Sequence, residues 1–189
     1  MQKQKKWSVK DMSLCALFSA LIAAGAFMKI SLPLQPFPMH FTLQWFFVLL
    51  AGFLLGPRLG SLSVCIYLAI GLVGVPIFAA GGGPAYLIRP TFGFLLGFAL
   101  AAYAIGYVSR RIQASTFPQY LLAGIVGLIV MYLSGMIYFY IISNYVISMP
   151  VTWKIVFINC FLVTVGGDFV LCVLASALAK RLRNTLRYL

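Results

Sequence analysis

The feature that most limits the fold of this chain is a succession of apolar runs, the longest of which extends from Val151 to Ala179. A helix needs about 20 apolar residues to cross the hydrocarbon core of a bilayer. Such runs recur along all 189 residues, of which 63% are hydrophobic and only 8% are charged. A chain of this size cannot bury so much apolar surface in one water-facing core, so the sequence predicts a polytopic membrane protein.

Gly- and Pro-rich stretches divide the apolar sequence into six segments, each of which we predict to be a membrane-spanning helix. The predicted helices are Met12–Ile30, Thr42–Leu55, Ser61–Val75, Thr91–Val108, Tyr120–Ile142 and Val151–Ala179. The second and third are short, so either neighbouring loops complete the crossing or these helices lie beneath a re-entrant loop. The predicted fold class is therefore an all-α membrane protein, a six-helix bundle that forms a single integral-membrane domain over residues 1–189.

Basic residues fall mainly on one side of this arrangement. Cytoplasmic loops of membrane proteins carry an excess of Lys and Arg. With six helices, one side receives eleven of the 14 basic residues, namely Lys3, Lys5, Lys6, Lys10, Arg58, Arg110, Arg111, Lys180, Arg181, Arg183 and Arg187. We therefore predict that the basic termini, residues 1–11 and 180–189, are cytoplasmic and that the helices occupy residues 12–179. The loops predicted to face outward are residues 31–41, 76–90 and 143–150.

Several classes of function lack the residues that they need. The chain has no G-x-x-x-x-G-K-[ST] phosphate loop, so it is not expected to hydrolyse ATP on its own. One histidine and two acidic residues leave little for acid-base chemistry, so catalysis is not expected. The basic residues border apolar runs instead of forming one polar face, which argues against nucleic acid as a partner. The four cysteines lack metal-binding spacing. Binding, a pore or a structural role remains.

Asp168, one of the two acidic residues, lies inside the last apolar run. An ionisable group at membrane depth normally faces the bundle interior and pairs with an opposite charge or a ligand. About twelve residues, or roughly 18 Å of helix, separate Asp168 from the basic C-terminal cluster. The outward loop carries Arg89 and the run Gly81–Gly83, and Gln44 begins the second helix. These groups predict a binding site in the outer half of the membrane, with a flexible glycine loop beside it.

Each of these residues also has a purely structural interpretation. Asp168 could pair with Arg89, or with one of two outward-side lysines, as a structural ion pair. Gln44 could cap or bridge helices, and the glycine run could be only a turn. His40 follows a proline at a loop edge, which favours a place at the membrane interface. Most aromatic residues are expected in packing and interface belts, although Tyr86 and Phe92 are placed to wall a pocket.

The first helix carries a second pattern. Small residues recur every four positions on one face, at Ala16, Ala20 and Ala24. Small residues at this spacing allow helices to approach closely. The pattern predicts either internal packing or a smooth face for a partner subunit.

Four motifs follow one another in a fixed order, and their combination is more specific than any of them alone. They are "TLQ" at residues 42–44, "GPRLG" at 56–60, "Y-x3-G-x2-G-x-P-x-F" at 67–78 and "PT-x-G" at 90–93. This string resembles the BioY family, the substrate-capture (S) components of energy-coupling factor (ECF) vitamin transporters, and the similarity covers nearly the whole chain.

The resemblance implies an S-component fold in the cell membrane of a prokaryote and capture of biotin at the outer face. It also implies docking onto an ECF transmembrane coupling subunit that is driven by two ABC-type ATPases. In S components an alanine-spaced face of the first helix meets that subunit, which Ala16, Ala20 and Ala24 match. The resemblance and the residue pattern together give the expected substrate-binding residues, which are Asp168, Arg89, Gln44, Tyr86, Gly82, Gly83, Thr91 and Phe92.

The chain departs from the family pattern at three places. BioY-like sequences commonly have a lysine three residues after the last-helix aspartate, where this chain has Leu171. An asparagine often found in the glycine loop is absent from "FAAGGGPAY", and "RPTFG" replaces the frequent "GPTGG". Of the lysine, asparagine and aspartate suited to the ureido ring of biotin, only Asp168 remains. Each buried ureido group left unpaired would cost about 1–3 kcal/mol.

Lipoate is the alternative ligand that these departures suggest. It has the same pentanoate tail as biotin and an apolar disulfide ring that needs no polar partners. Arg89 could serve the carboxylate of either molecule through a charge-assisted pair. The sequence therefore predicts capture of biotin without a cofactor or metal, with lipoate as the alternative. An autonomous channel or structural membrane protein is the alternative of another class.

Overall fold

The computed structural model describes residues 8–33 and 39–186. Its α-helices are α1 (Val9–Phe27), α2 (Gln44–Leu55), α3 (Pro57–Val73), α4 (Phe92–Arg111), α5 (Phe117–Ile141), α6 (Trp153–Phe157) and α7 (Val165–Leu186). A 3₁₀-helix covers Pro84–Ile88, and two π-helices cover Ile142–Val146 and Ile158–Leu162. Of the two termini predicted to be cytoplasmic, residues 1–7 and 187–189 lie outside the described residues.

A short β-hairpin, which the sequence analysis did not predict, adds to the mostly helical architecture. Strands β1 (Lys29–Leu32) and β2 (Met39–Thr42) pair antiparallel, with Lys29 opposite Thr42. The first helix therefore ends at Phe27 and not at Ile30, because the chain continues as an extended strand. The hairpin leads directly into α2, so it fixes where the polar start of that helix lies.

The other predicted segments correspond closely to helices. The second to fifth predicted segments coincide, within a few residues at each end, with α2, α3, α4 and α5. The sixth is divided among α6, the second π-helix and α7, and its helical path continues past Ala179 to Leu186. A π-helix widens one turn and redirects the side chains that follow it.

Four helical stretches among the described residues are long and apolar enough to cross a membrane. They are Val9–Phe27, Phe92–Arg111, Phe117–Val146 and Trp153–Leu182. The helices Gln44–Leu55 and Pro57–Val73 are apolar but shorter. The mostly helical architecture is that of an integral membrane protein, in which α2 and α3 are shorter than the four long helical stretches.

Capping interactions define where two of the long helices begin. The Ser8 side chain accepts a hydrogen bond from the Lys10 amide at 3.2 Å, and the Ser8 amide donates to the Asp11 carboxylate at 3.2 Å. This capping box accounts for the second acidic residue of the chain. At α5, the Thr116 amide donates to the Gln119 side chain at 3.1 Å in the same motif.

The turn between α2 and α3 is held against α4. Gly56 adopts a φ of 81° and Pro57 starts α3, so the chain reverses without an intervening loop. The Arg110 guanidinium donates to the Leu55 carbonyl at 2.7 Å and so satisfies a carbonyl at the end of α2. Gly106 faces this turn, where an added Cβ would overlap the backbone of Gly56 and Pro57.

Helix α2 occupies the centre of the bundle and packs against α1, α3, α4 and α7. Its interior side chains include Trp45, Val48 and Leu49, all at most 1% exposed. Helices α4 and α5 form the most extensive pair, and a glycine allows them to approach closely. A Cβ at Gly97 would lie 2.9 Å from the Met131 carbonyl oxygen on the opposing helix.

We predict that Gly97→Ala destabilises the bundle. The added methyl group meets backbone atoms of α5 that cannot rotate away, and overpacking of this kind costs about 1–3 kcal/mol. The measurement is the thermal unfolding midpoint of the detergent-purified protein, which should fall. Gly166→Ala is the matched control, because a Cβ there has no neighbour within 4 Å, and it should not lower the midpoint. Equal midpoints for the two variants would contradict the close α4–α5 approach.

Candidate functional site

A cavity lies among the N-terminal ends of α2, α4 and α7, the middle of α5 and strand β2. Its polar lining consists of His40, Thr42, Gln44, Thr91, Thr164 and Asp168. Its aromatic lining consists of Phe41, Trp45, Tyr86, Phe94, Phe98 and Tyr132. A mostly apolar, concave site with a few polar groups is the usual form of a small-molecule binding site.

A buried polar cluster surrounds Asp168 in the cavity. Asp168 is 8% exposed, and the Tyr132 hydroxyl, on α5, donates a hydrogen bond to its carboxylate. The Tyr132 hydroxyl also lies 2.8 Å from the Thr164 hydroxyl, which donates to the Cys160 carbonyl at 2.8 Å. A buried carboxylate needs such a donor, because an unpaired charge in an apolar surrounding is costly.

The backbone before α7 explains why these groups meet. The π-helix Ile158–Leu162 ends two residues before Thr164, and α7 begins at Val165. Asp168 lies in the first turn of α7, and its amide donates to the Thr164 carbonyl at 3.1 Å. Residues four apart share one face of a helix, so Thr164 and Asp168 both face the cavity.

Gln44 belongs to a second network at the start of α2. Its amide nitrogen donates to the Tyr67 hydroxyl at 2.6 Å, and its oxygen accepts from the Thr42 hydroxyl at 3.3 Å. Tyr67 is fully buried and donates in turn to the Ile77 carbonyl at 3.3 Å. The Gln44 amide is thus held between the hairpin, α3 and the loop after α3.

Two cationic side chains, Lys29 and Arg89, act on His40 at the edge of the cavity. His40 lines the cavity and lies 3.0 Å from the Ser31 hydroxyl across the hairpin. Burial lowers the pKa of His40 below 6.5, and the charges of Lys29 and Arg89 lower it further. The imidazole is therefore neutral at pH 7. Lys29 donates a hydrogen bond from Nζ to the Ala79 carbonyl, which joins β1 to the loop after α3.

Packed aromatic rings support the loop that carries the glycines. The ring of Phe78 lies 4.6 Å from that of Tyr86 and 6.4 Å from that of Phe92. Gly71 leaves room for Phe78, since a Cβ there would overlap its ring. Below this cluster, Trp45 stacks on Phe98 at 5.9 Å. Within the described part of the chain, the buried indole N–H of Trp45 has no hydrogen-bond partner.

The structure brings half of the predicted substrate-binding residues to one cavity. Asp168, Gln44, Tyr86 and Thr91 line it, whereas four others lie around it. Arg89 is exposed, with its guanidinium 5.0 Å from the centre of the Tyr86 ring.

The remaining three predicted residues do not line the cavity but pack behind it or shape the adjoining loop. Phe92 is 1% exposed and packs behind Tyr86, with ring centroids 6.1 Å apart. The Gly83 amide donates to the Gly71 carbonyl at 2.8 Å, and a Cβ at Gly82 would overlap the Val75 carbonyl.

Sequence reasoning missed several lining residues. His40 was expected at the membrane interface, yet its ring lines the cavity. Thr164 precedes Asp168 by four positions, and that helical spacing was a usable signal. Tyr132 and Trp45 sit in continuous apolar stretches, where nothing in the local pattern separates them from core aromatics.

Outside the cavity, the alanine-spaced face of helix α1 is exposed. Ala16, Ala20 and Ala24 lie on the face of α1 opposite to its buried residues Cys15, Phe18 and Ile22.

Within residues 8–33 and 39–186, no group of three or more His, Cys, Asp or Glu side chains is placed to hold a metal ion.

Comparison with known proteins identifies the relatives of the chain. A profile of the BioY family matches residues 1–188. The chain is 44% identical over 183 residues to "Probable biotin transporter BioY" of Lysinibacillus sphaericus, covering 97% of this chain and 91% of that protein. It is 37% identical over 169 residues to "Biotin transporter BioY" of Thermotoga maritima, covering 89% and 92% of the two chains.

A solved structure shares the fold. It is the crystal structure of the S-component for biotin from an ECF-type ABC transporter, with a TM-score of 0.80 and 26% sequence identity. The match covers 97% of this chain and 95% of that one. The chain belongs to the BioY family.

Proposed function

We propose that this protein is the substrate-capture subunit of an ECF-type ABC importer and that it binds biotin in the cavity described above. The observation that carries the proposal is the buried Asp168–Tyr132 pair at the inner end of an aromatic cavity. The similar proteins are named biotin transporters, and the similar solved structure is an S-component for biotin. Transport, and not catalysis, is therefore the proposed activity.

The proposed topology has six membrane-spanning helices in one domain, residues 1–189, with both termini cytoplasmic in the cell membrane of a prokaryote. The distribution of charge supports it. Arg110 caps the end of α2 near the α2–α3 turn, and Arg89 precedes the opposite end of α4. The cavity lies at the Arg89 end, which the positive-inside rule assigns to the outer face.

The chemistry of the cavity suits biotin in three respects. The Asp168 carboxylate can accept hydrogen bonds from ureido N–H groups, which are donors. The aromatic rings can pack on the apolar thiophane ring and tail. The cationic side chains Lys29 and Arg89 at the outer end attract a carboxylate. Asp168, Gln44, Tyr86 and Thr91 are proposed to line the ligand, with Arg89, Gly82, Gly83 and Phe92 around them.

Lipoate fits this cavity less well. Its disulfide ring has no N–H donor, so binding would leave the remaining capacity of the buried Asp168 carboxylate unused and desolvated. Leu171, which takes the place of the common lysine, is 7% exposed and packs in the main apolar core. The relatives reported above are named for biotin, which favours biotin over lipoate.

The proposed partners are an ECF transmembrane coupling subunit and two ABC-type ATPases, with the lipid bilayer around them. The chain has no phosphate loop, so ATP-driven import would require ATPases supplied by other proteins. The exposed alanines of α1 are the proposed docking face, because small side chains let a second helix approach closely. A channel or structural protein would need neither a tight ligand nor these partners.

Ligand identity is tested by measuring the binding of biotin and lipoate to the purified protein side by side. We expect biotin to bind in the nanomolar range, at about −12 kcal/mol, and lipoate to bind more weakly because it cannot donate to Asp168. If lipoate binds more tightly than biotin, lipoate replaces biotin as the proposed substrate. Binding of neither molecule would refute the proposed transport function.

Arg89→Ala is expected to weaken biotin binding about three- to tenfold, a modest loss because the side chain is exposed and screened. The matched control is Lys154→Ala, which removes another exposed cation beyond the cavity lining. The amide of biotin, which has no carboxylate, should bind both variants and the wild type equally. An unchanged biotin affinity for Arg89→Ala would remove Arg89 from the site.

Ala20→Trp should abolish biotin uptake in cells that carry the energising subunits, while binding to the purified variant stays unchanged. A bulky ring on the exposed face of α1 would prevent close contact with another helix. Leu122→Trp is the control, because Leu122 is 52% exposed on α5, outside the proposed docking face. Loss of binding with Ala20→Trp would assign this face to the cavity.

A further inference from the structure

The Tyr132 hydroxyl holds one oxygen of the Asp168 carboxylate. The hydrogen bond reaches Oδ2, and both residues are almost fully buried, Tyr132 at 2% exposure and Asp168 at 8%. Tyr132 belongs to α5 and Asp168 to α7, so the contact crosses between helices. Tyr132 is also one of the residues that line the cavity.

The donor and the acceptor of each hydrogen bond in this cluster follow from its hydroxyl protons. Tyr132 and Thr164 each carry one hydroxyl proton, and an ionised carboxylate can only accept. The Tyr132 proton therefore goes to Asp168, and the Thr164 proton goes to the Cys160 carbonyl or to the Tyr132 oxygen, both at 2.8 Å. Both hydroxyl protons are used within the cluster, so the cluster can only accept hydrogen bonds from a ligand.

The ring of Tyr132 has little freedom to release this contact. It packs edge-on against Phe161 at 5.0 Å and against Phe94 at 6.1 Å. Phe161 lies in the π-helix that precedes Thr164, so the same irregular turn places both the hydroxyl partner and the packing ring. With Oδ2 occupied and the ring fixed, Oδ1 is the carboxylate oxygen that remains for a ligand.

We propose that Tyr132 is a specificity-determining positioning residue, which orients the Asp168 carboxylate so that the site selects ring systems carrying N–H donors. This inference rests on the proposed function, since it concerns the same cavity. The Tyr132 hydroxyl acts through Asp168, while the Tyr132 ring remains part of the cavity lining. Ligands with an N–H donor gain from the ordered acceptor, whereas a disulfide ring such as that of lipoate gains nothing.

The test compares Tyr132→Phe with wild type in the binding of biotin and of dethiobiotin, which keeps the ureido N–H groups but lacks the thiophane ring. We expect affinity for both to fall about tenfold, the effect of one lost hydrogen bond to a charged group. Tyr140→Phe is the matched control on the same helix, because its ring stacks on Trp153 away from the cavity lining. The control should bind both ligands as wild type does.

A double-mutant cycle with Asp168→Asn separates positioning from a merely structural effect. Because Tyr132 acts through the carboxylate, Tyr132→Phe should cause no further loss in the Asp168→Asn background. An equal loss in both backgrounds, or unchanged affinity for Tyr132→Phe alone, would overturn the inference. Thr164→Val gives a second, independent variant if Tyr132→Phe does not fold. This variant should weaken the binding of biotin and of dethiobiotin. The ratio of the affinities for biotin and its amide should stay unchanged. No loss of affinity for either ureido ligand would likewise refute the inference.

Different binding results would refute the proposed function and the role of Tyr132. If wild type binds neither biotin nor dethiobiotin, the proposed function is refuted. If wild type binds both and the Tyr132 variant binds them equally well, only the role of Tyr132 is refuted.

Discussion

The hydrogen bond between the Tyr132 hydroxyl and the Asp168 carboxylate is the interaction on which the site depends. A carboxylate this deeply buried is stable only with a donor beside it, and the donor comes from a different helix. The π-helix before α7 brings Thr164 and Asp168 to the cavity face and places Phe161 against the Tyr132 ring. One of the two π-helices of the described chain thus lies directly beside the buried polar group.

A second network gives the outer part of the cavity its shape. Gln44 links the hairpin to Tyr67, and Tyr67 links α3 to the Ile77 carbonyl in the loop beyond it. The Phe78 ring fills the space that Gly71 leaves open, and so the loop is packed from below. The Asp168 cluster joins α5 and α7, whereas this network joins α2 and α3. Both networks rest on buried helix positions, which favours a fixed geometry.

Much of the fold could be predicted from apolar runs and breaks, because helix length and Gly-Pro turns are local properties. The hairpin was missed because Lys29–Thr42 includes a proline-rich stretch that reads as a loop, and its pairing depends on residues thirteen positions apart. Asp168 was found because a carboxylate is rare in an apolar run. Tyr132 was not, since its partner lies 36 positions away and only the tertiary fold joins them.

Lys29 donates a hydrogen bond to the carbonyl of Ala79, which is one of the residues that line the cavity. This contact joins two segments that both belong to the exterior of the bundle, and an exposed hydrogen bond of this kind opens far more readily than a packed helix pair. In the proposed capture function, the residence time of the ligand would depend on local opening of this contact, while the helix bundle stays folded. Affinity would depend on the buried Asp168 cluster, whereas the rate of ligand exchange would depend on the exposed contact between Lys29 and Ala79.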